Sequence, residues 1–310
     1  MAQAISQNEL FETLPVPVAL RRMIVPAAVS QIIVLIYNMA DTFYIGRTNN
    51  PYMLAGASLI LPVFNMLLCL SSLAGIGGGT LISRLLGAGQ QAEARKVSAF
   101  SFWLAVTLSL AFSVGLGVGM TPALTFLGAG ENIFLYARQY AFCGIVLGAV
   151  PTVLSNVLAH LVRSVGMSRE AGFGITLGAV LNIALDPVFM YLLLPDGQQV
   201  LGVGVATLLS NCVACGYFLV VLWRIRQTSV LTPDPRTGLP QPRNMAAVFG
   251  VGVPSAAASL LFDLDYVVID KLMVGYSEVA LAAIGIVLKV ERLPLNVGIG
   301  ICQGMVPLVA

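Results

Sequence analysis

Residues 48–83 contain no Asp, Glu, Lys or Arg, and this run restricts the fold more than any other feature of the chain. Water cannot solvate so long an apolar stretch, whereas a bilayer core accepts about 20 such residues as one helix. Helix is then the required form, because lipid offers no partner to a free backbone N–H or C=O. Further charge-free runs cover 23–40, 97–130, 139–159, 197–222, 245–262 and 293–310. Charged residues make up 10% of the chain and hydrophobic ones 58%, where a soluble domain carries about 25% charge. The reading is an all-α polytopic membrane protein, with spans near 20–45, 52–83, 97–120, 133–158, 168–193, 200–224, 246–272 and 280–310. The stretch "TPALTFLGAG" (121–130) reads as a turn between the third and fourth spans. The head carries Glu9 and Glu12 and lacks the basic n-region of a cleavable signal, so the first span is expected to be permanent.

A net charge of +2 gives no electrostatic support for nucleic-acid binding. Cys69, Cys143, Cys212, Cys215 and Cys302 all fall inside spans, and the CxxC formed by Cys212 and Cys215 has no His or second pair nearby, so packing is the expected role. The basic residues set the orientation. Arg21, Arg22, Arg84, Arg95, Lys96, Arg163, Arg169, Arg224, Arg226, Arg236 and Arg243 fall on the side of the N-terminus, with Arg163 and Arg169 assigned to the loop after the fourth span. Arg47, Arg138 and Lys271 lie towards the other side. The positive-inside rule then places the N-terminus in the cytoplasm of a multi-pass cell-membrane protein.

The chain also repeats itself. Pro26, Asp41 in "DTFYIG", "LAGASLIL" and "GIGGGT" are echoed by Pro254, Asp270 in "DKLMVG", "LAAIGIVL" and "GIGICQG". Pro to Asp is 15 residues in the first copy and 16 in the second, and Asp to the following Gly is 5 in both. Between the copies lies a proline-punctuated polar stretch, 226–245. The organisation read from this is a first lobe over 1–225 with six spans, a cytoplasmic linker over 226–245, and the start of a second lobe over 246–310. Six spans return the chain to its starting side, so the copies are parallel repeats. The second copy holds two spans where the first holds six, and the expectation is a fragment lacking about four helices.

Charged groups within spans are costly, at about 2.5–3.5 kcal/mol each on insertion scales, and ask for a function. Asp41 lies towards the outer end of the first span and Asp186 well inside the fifth, in "LNIALDP". Asn182 and Asp186 are one turn apart on one helical face. Pro187 deprives the Ile183 carbonyl of its usual N–H partner. A carboxylate, an amide oxygen and a freed carbonyl suit a proton or a hard cation such as Na⁺, and Thr207 in the sixth span adds a hydroxyl. In the second copy Asp263, Asp265, Lys289 and Glu291 form a further polar set, read either as neutralising ion pairs between spans or as a second site. His160 reads as interfacial. "GIGGGT" lacks the Lys-Ser/Thr ending of a phosphate loop and follows no strand, so close helix packing is its expected use.

At these residues the sequence resembles the multidrug and toxic compound extrusion (MATE) family. The motifs are "MADTFYIG", "GGGTLISRLLGAGQQAEA", "LVRSVGMSREA", "LNIALDP", "GVGVATLLSN" and "GIGICQGMVPLV", in order along the chain. The resemblance implies twelve helices in two six-helix lobes around a cleft, of which this chain holds about eight, and export of small organic, often cationic, compounds against Na⁺ or H⁺. It also implies an ion site in the first lobe at Asp41, Asn182, Asp186 and Thr207. No cofactor is expected beyond that coupling ion, and the partners are organic substrates and the lipid bilayer, with the protein a monomer. No nucleophile–base pair or HExxH pattern is present, so no catalytic residue is named and no enzyme is expected. The alternative is a flippase of lipid-linked saccharides from the same superfamily, for which a basic cleft is expected.

Overall fold

The computed structural model describes residues 14–48, 50–195, 197–274 and 278–310, and among them the chain is helical with no strand. Each backbone bond is thus closed within its own segment, as a hydrocarbon solvent demands. Helix α1 spans Val16–Gly46, α2 Pro51–Gly87 and α3 Gln91–Val118. A short α4, Met120–Phe126, occupies most of the stretch expected to be a turn, and the turn itself is confined to 127–130. Next come α5, Glu131–Tyr140, and α6, Ala149–Ser164, then α7, Ser168–Pro187, and α8, Gln199–Ile225. Helices α9, Pro242–Val274, and α10, Glu278–Val309, complete the chain. Residues 242–245, read as linker, are therefore the first turn of α9.

Local chemistry sets the ends. Asn50 caps α2 by accepting from the Tyr52 N–H at 3.0 Å, and Pro51 occupies the first helical position, where no N–H is needed. At the other end of α2, Gly89 takes φ +71° and the Gln90 N–H returns to the Leu85 carbonyl, so the chain leaves the helix by a left-handed residue. The fourth span is broken rather than straight. α5 runs into π-helical turns over Ala141–Leu147, and α6 departs at 51°. Gly148 sits at the break, where a side chain would meet the Gly144 carbonyl. Six helices, and this bent pair as a seventh span, have the length and apolarity to cross a membrane among the residues searched.

α6 forms the centre of the α1–α8 bundle, packing on α2, α3, α7 and α8 through buried Val153, Val157, Leu158, Leu161 and Val162. α7 lies along α1, where Ser168 donates to the Met23 carbonyl at 2.7 Å and Gly172 brings the helix against the Pro26 carbonyl. The last two helices attach reciprocally, α10 along α1 and α9 along α2. Both attachments are made by glycines. Gly300 and Gly304 sit against Ala28 and Ile24 of α1, while Gly77 and Gly252 face Val248 and Leu73 across α2 and α9. All of these contacts lie in the half of the bundle where α1 begins. The "GIGGGT" glycines thus serve packing: Gly75 and Gly79 meet His160, and Gly78 meets Ser101.

The segment between α8 and α9 is strapped to α3. Trp103 Nε1 donates to the Pro233 carbonyl at 2.9 Å, and Ser98 Oγ accepts from the Thr232 N–H at 3.1 Å. Glu93 Oε2 accepts from the Gln241 N–H at 3.2 Å and from Asn244 Nδ2 at 3.0 Å, while its other oxygen pairs with Lys96 at 2.8 Å. Arg163 departs from its sequence assignment: it lies inside α6 and is 2% exposed, which removes it from the basic residues assigned to the loops.

The glycine crossings give a direct test. Gly252→Val inserts a branched side chain where the Leu73 carbonyl already stands in contact. Its expected cost is about 1–3 kcal/mol, read as a lower midpoint of thermal unfolding in detergent. Gly250→Val, at a position open on all sides, is expected to leave the midpoint unchanged.

Candidate functional site

Three helices carry the first-lobe residues to one place. α1 brings Asp41 with Tyr37 one turn before it, α7 brings Asn182 and Asp186, and α8 brings Thr207. Asn182 Nδ2 donates to Thr207 Oγ1 at 3.2 Å, tying α7 to α8. The Asp41 and Asp186 carboxyl groups face each other across α1 and α7. Asp186 is fully buried, and Asn182 and Thr207 are buried beside it. Both Asp186 oxygens, Asp41 Oδ1 and Asn182 Oδ1 are buried without a hydrogen-bond partner. Oxygens enclosed in this way need a proton or a cation for compensation, since two bare carboxylates facing each other repel.

A cavity of about 80 Å³ opens beside Asp41, lined also by Tyr37, Tyr140, Thr207 and Phe64. A water occupies about 30 Å³, so the space admits an ion with a water or two, and is far below the 300–1,000 Å³ typical of drug-sized ligands. Tyr37 and Tyr140 escaped the sequence reading. Tyr37 was visible in principle, being one turn from Asp41 on the same face. Tyr140 comes from the end of α5, in the first half of the bent fourth span. Beyond Pro187 the chain widens into π-helical turns over Val188–Leu193, and Tyr191 there donates to the Tyr44 carbonyl at 2.7 Å. The end of α7 is thereby fastened to the end of α1.

Of the second-copy set, two residues can be described. Asp265 and Glu291 are exposed. The side chains of Asp263, Asp270 and Lys289 lie outside the described residues. Glu93 and Lys96 form a salt bridge within α3.

A larger cavity, about 660 Å³, lies between the α1–α8 bundle and the pair α9–α10. Arg163 and His160 of α6 reach it from one side, and Phe262, Ile299 and Gln303 from the other. Gln303 Oε1 accepts from Arg163 Nη1 at 2.9 Å and from Gln31 Nε2 at 3.0 Å, joining α6, α10 and α1. His160, read as interfacial, is a cavity wall.

A multi-pass helical membrane protein with two facing carboxyl groups inside one bundle, and a ligand-sized cavity between that bundle and further spans, has the architecture of a secondary transporter. The MatE family model matches residues 26–188, more than half of the chain, and the chain belongs to the multidrug and toxic compound extrusion family. It is 28% identical over 301 residues to the multidrug export protein MepA of Staphylococcus aureus, covering 97% of this chain and 65% of that protein. The MepA of Staphylococcus saprophyticus is 29% identical over 286 residues, with 92% and 62% covered. The chain thus spans about two-thirds of the length of the curated relatives it matches. Among solved structures, a MATE P26A mutant superposes with a TM-score of 0.90 at 23% identity, covering 98% of this chain and 67% of that one.

The facing carboxylates should behave as one unit. Asp41→Asn and Asp186→Asn are expected to be non-additive, the double variant departing from the sum of the singles by about 0.5–3 kcal/mol. A double-mutant cycle of unfolding midpoints in detergent measures it, and strict additivity would place the two groups in separate environments.

Proposed function

We propose that the protein is a secondary active antiporter of the cell membrane, exporting small organic compounds in exchange for H⁺ or Na⁺ bound at Asp41, Asn182, Asp186 and Thr207. The observation that carries this reading is the buried Asp186 facing the half-buried Asp41, with unpartnered oxygens on both, beside a small cavity. The relatives named as multidrug export proteins favour the same class of substrate. An all-oxygen donor set suits either ion.

In this reading α1–α8 form the first lobe and α9–α10 begin the second, with the N-terminus cytoplasmic and the transporter a monomer. The reciprocal packing of α1 on α10 and α2 on α9 favours two repeats about an axis along the membrane normal. The glycine contacts then close the cytoplasmic half, and the cleft opens outward. Neutralising the carboxylate pair changes the electrostatics between α1 and α7. Because α1 also packs on α10, the ion's preference for one arrangement of α1 becomes a preference between closed and open clefts. Linkage requires substrate to prefer the opposite state.

A flippase of lipid-linked saccharides remains the second reading, and Arg163 at the larger cavity is the observation in its favour. The full-length protein in liposomes distinguishes them through dye efflux under a Na⁺ gradient and, separately, a pH gradient. Efflux driven by one gradient and abolished by Asp186→Asn, with membrane insertion intact, is the expected outcome. Undiminished efflux by Asp186→Asn would sink the assignment of the ion site, and lipid-linked saccharide transfer without dye efflux would favour the flippase.

A further inference from the structure

We propose that Glu93 is the clasp of a latch between the lobes: it holds the start of α9 to α3 and lets go when the half of the bundle where α1 begins opens. The proposal rests on the antiport reading, in which α9 begins the second lobe. The segment between α8 and α9 has three parts that are attached differently. The first is fixed to α3. Leu231 and Thr232 are buried, the Thr232 N–H donates to Ser98 Oγ, and the Pro233 carbonyl accepts from Trp103. The middle is loose. Gly238 takes φ +82° with open space where a side chain would stand, and Leu239 is 73% exposed. A left-handed glycine between two anchored stretches is a place where the chain can turn at low cost. The last part is the entry to α9, where Pro240 is buried and Glu93 reaches across from α3. Its Oε2 accepts from both the Gln241 N–H and Asn244 Nδ2, at 3.2 and 3.0 Å. A carboxylate in that position also meets the positive end of α9.

The chemistry suits a contact that is made and broken. Elsewhere α9 is held by backbone against glycine, as at Gly252 and the Leu73 carbonyl, and such a crossing is set by shape. Glu93 is only partly buried, and its Oε1 keeps Lys96 at 2.8 Å, a partner on its own helix that does not leave with α9. Once released, the carboxylate retains that partner and gains water. Opening therefore costs the contacts to α9 and strands no charge. Because 231–233 stay on α3 while α9 swings about Gly238, the lobes can part there without straining the connection between them.

The test uses the full-length protein with its native cysteines replaced by serine. Spin labels are placed at Arg169→Cys on α7 and Arg243→Cys on α9, both exposed positions. Pulsed electron–electron resonance in nanodiscs reads the ratio of molecules with long to short separations. Glu93→Ala is expected to raise that ratio about 5-fold over the labelled parent. Asn244→Ala, which removes one of the two contacts from the other side, should move it the same way by less. Lys96→Gln removes the ion pair but leaves both contacts to α9, and should stay near the parent. An unchanged ratio in Glu93→Ala overturns the proposal, or in Asn244→Ala where the first variant fails to fold. So does a shift in Lys96→Gln as large as that in Glu93→Ala, or a single distance in every variant. Dye efflux by the parent in liposomes is measured alongside. Efflux that persists while Glu93→Ala leaves the distances unchanged removes the latch and leaves the antiport reading standing.

Discussion

The structure depends on what lipid fails to provide: a partner for polar groups. Backbone groups answer by closing their bonds within helices, which is why the described residues contain helix and no strand. Side chains answer by gathering away from lipid. Asn182, Thr207, Asp41 and Asp186 come together where α1, α7 and α8 meet, and Gln31, Arg163 and Gln303 where α1, α6 and α10 meet. Other hydroxyls turn back on their own helices, as Ser30 does onto Ala27 and Ser210 onto Ala206. Against this background the unpartnered oxygens of Asp41, Asn182 and Asp186 stand out as chemistry directed at something other than the fold.

Apolar burial does not drive helices together in lipid as it does in water, so shape carries more of the association. The bundle shows this at each place where backbones approach closely. Gly172 admits the Pro26 region of α1, Gly174 admits the Phe218 ring, and Gly252 admits α2. The glycines therefore act as fixed spacings between helices, and a spacing set by backbone is discrete. Such an interface has two states, in contact or apart, which suits elements that must exchange partners.

Much of this was legible in the chain. Charge-free runs located the spans, and a carboxylate one turn from an amide in "LNIALDP" located the face on which the site is built, because both signals are local and helical. The glycine stretch 75–80 also spoke for itself, since small residues in a span have few uses other than close approach. What escaped was non-local. Tyr140 reaches the cavity from α5, an element distant in sequence from α1, α7 and α8, and the sequence there reads as one continuous apolar run. Arg163 looked like a loop residue because it stands near the end of its helix, and nothing in its neighbours along the chain reveals that α10 covers it. Polar residues such as Gln31 and Gln303, alone in apolar surroundings, carried the missing signal: an amide in lipid must have a partner, and the partner lay 272 residues away.

α1 is the one helix that touches both polar clusters. Towards its C-terminal end it carries Asp41 against Asp186, and Tyr44 accepts from Tyr191 beyond α7. Towards its N-terminal end Met23 accepts from Ser168, and Ala28 and Ile24 receive the glycines of α10. Pro26 lies within the second of these regions, between Ile24 and Ala28, and removes a backbone bond from the ladder, so the helix has a weak point there. A change of charge at the carboxylate pair therefore need not travel through the whole bundle. It has to alter the balance between two settings of a single helix, and coupling energies of about 1–3 kcal/mol suffice for that. Because the same helix borders the Gln31–Gln303–Arg163 cluster, whatever occupies the larger cavity acts on the same balance from the other end. In the proposed transporter both sites border this one helix, and reciprocity would follow from thermodynamics: an occupant that favours one setting of α1 would change the affinity of the carboxylate pair for its ion by the same factor that the ion changes the affinity for the occupant.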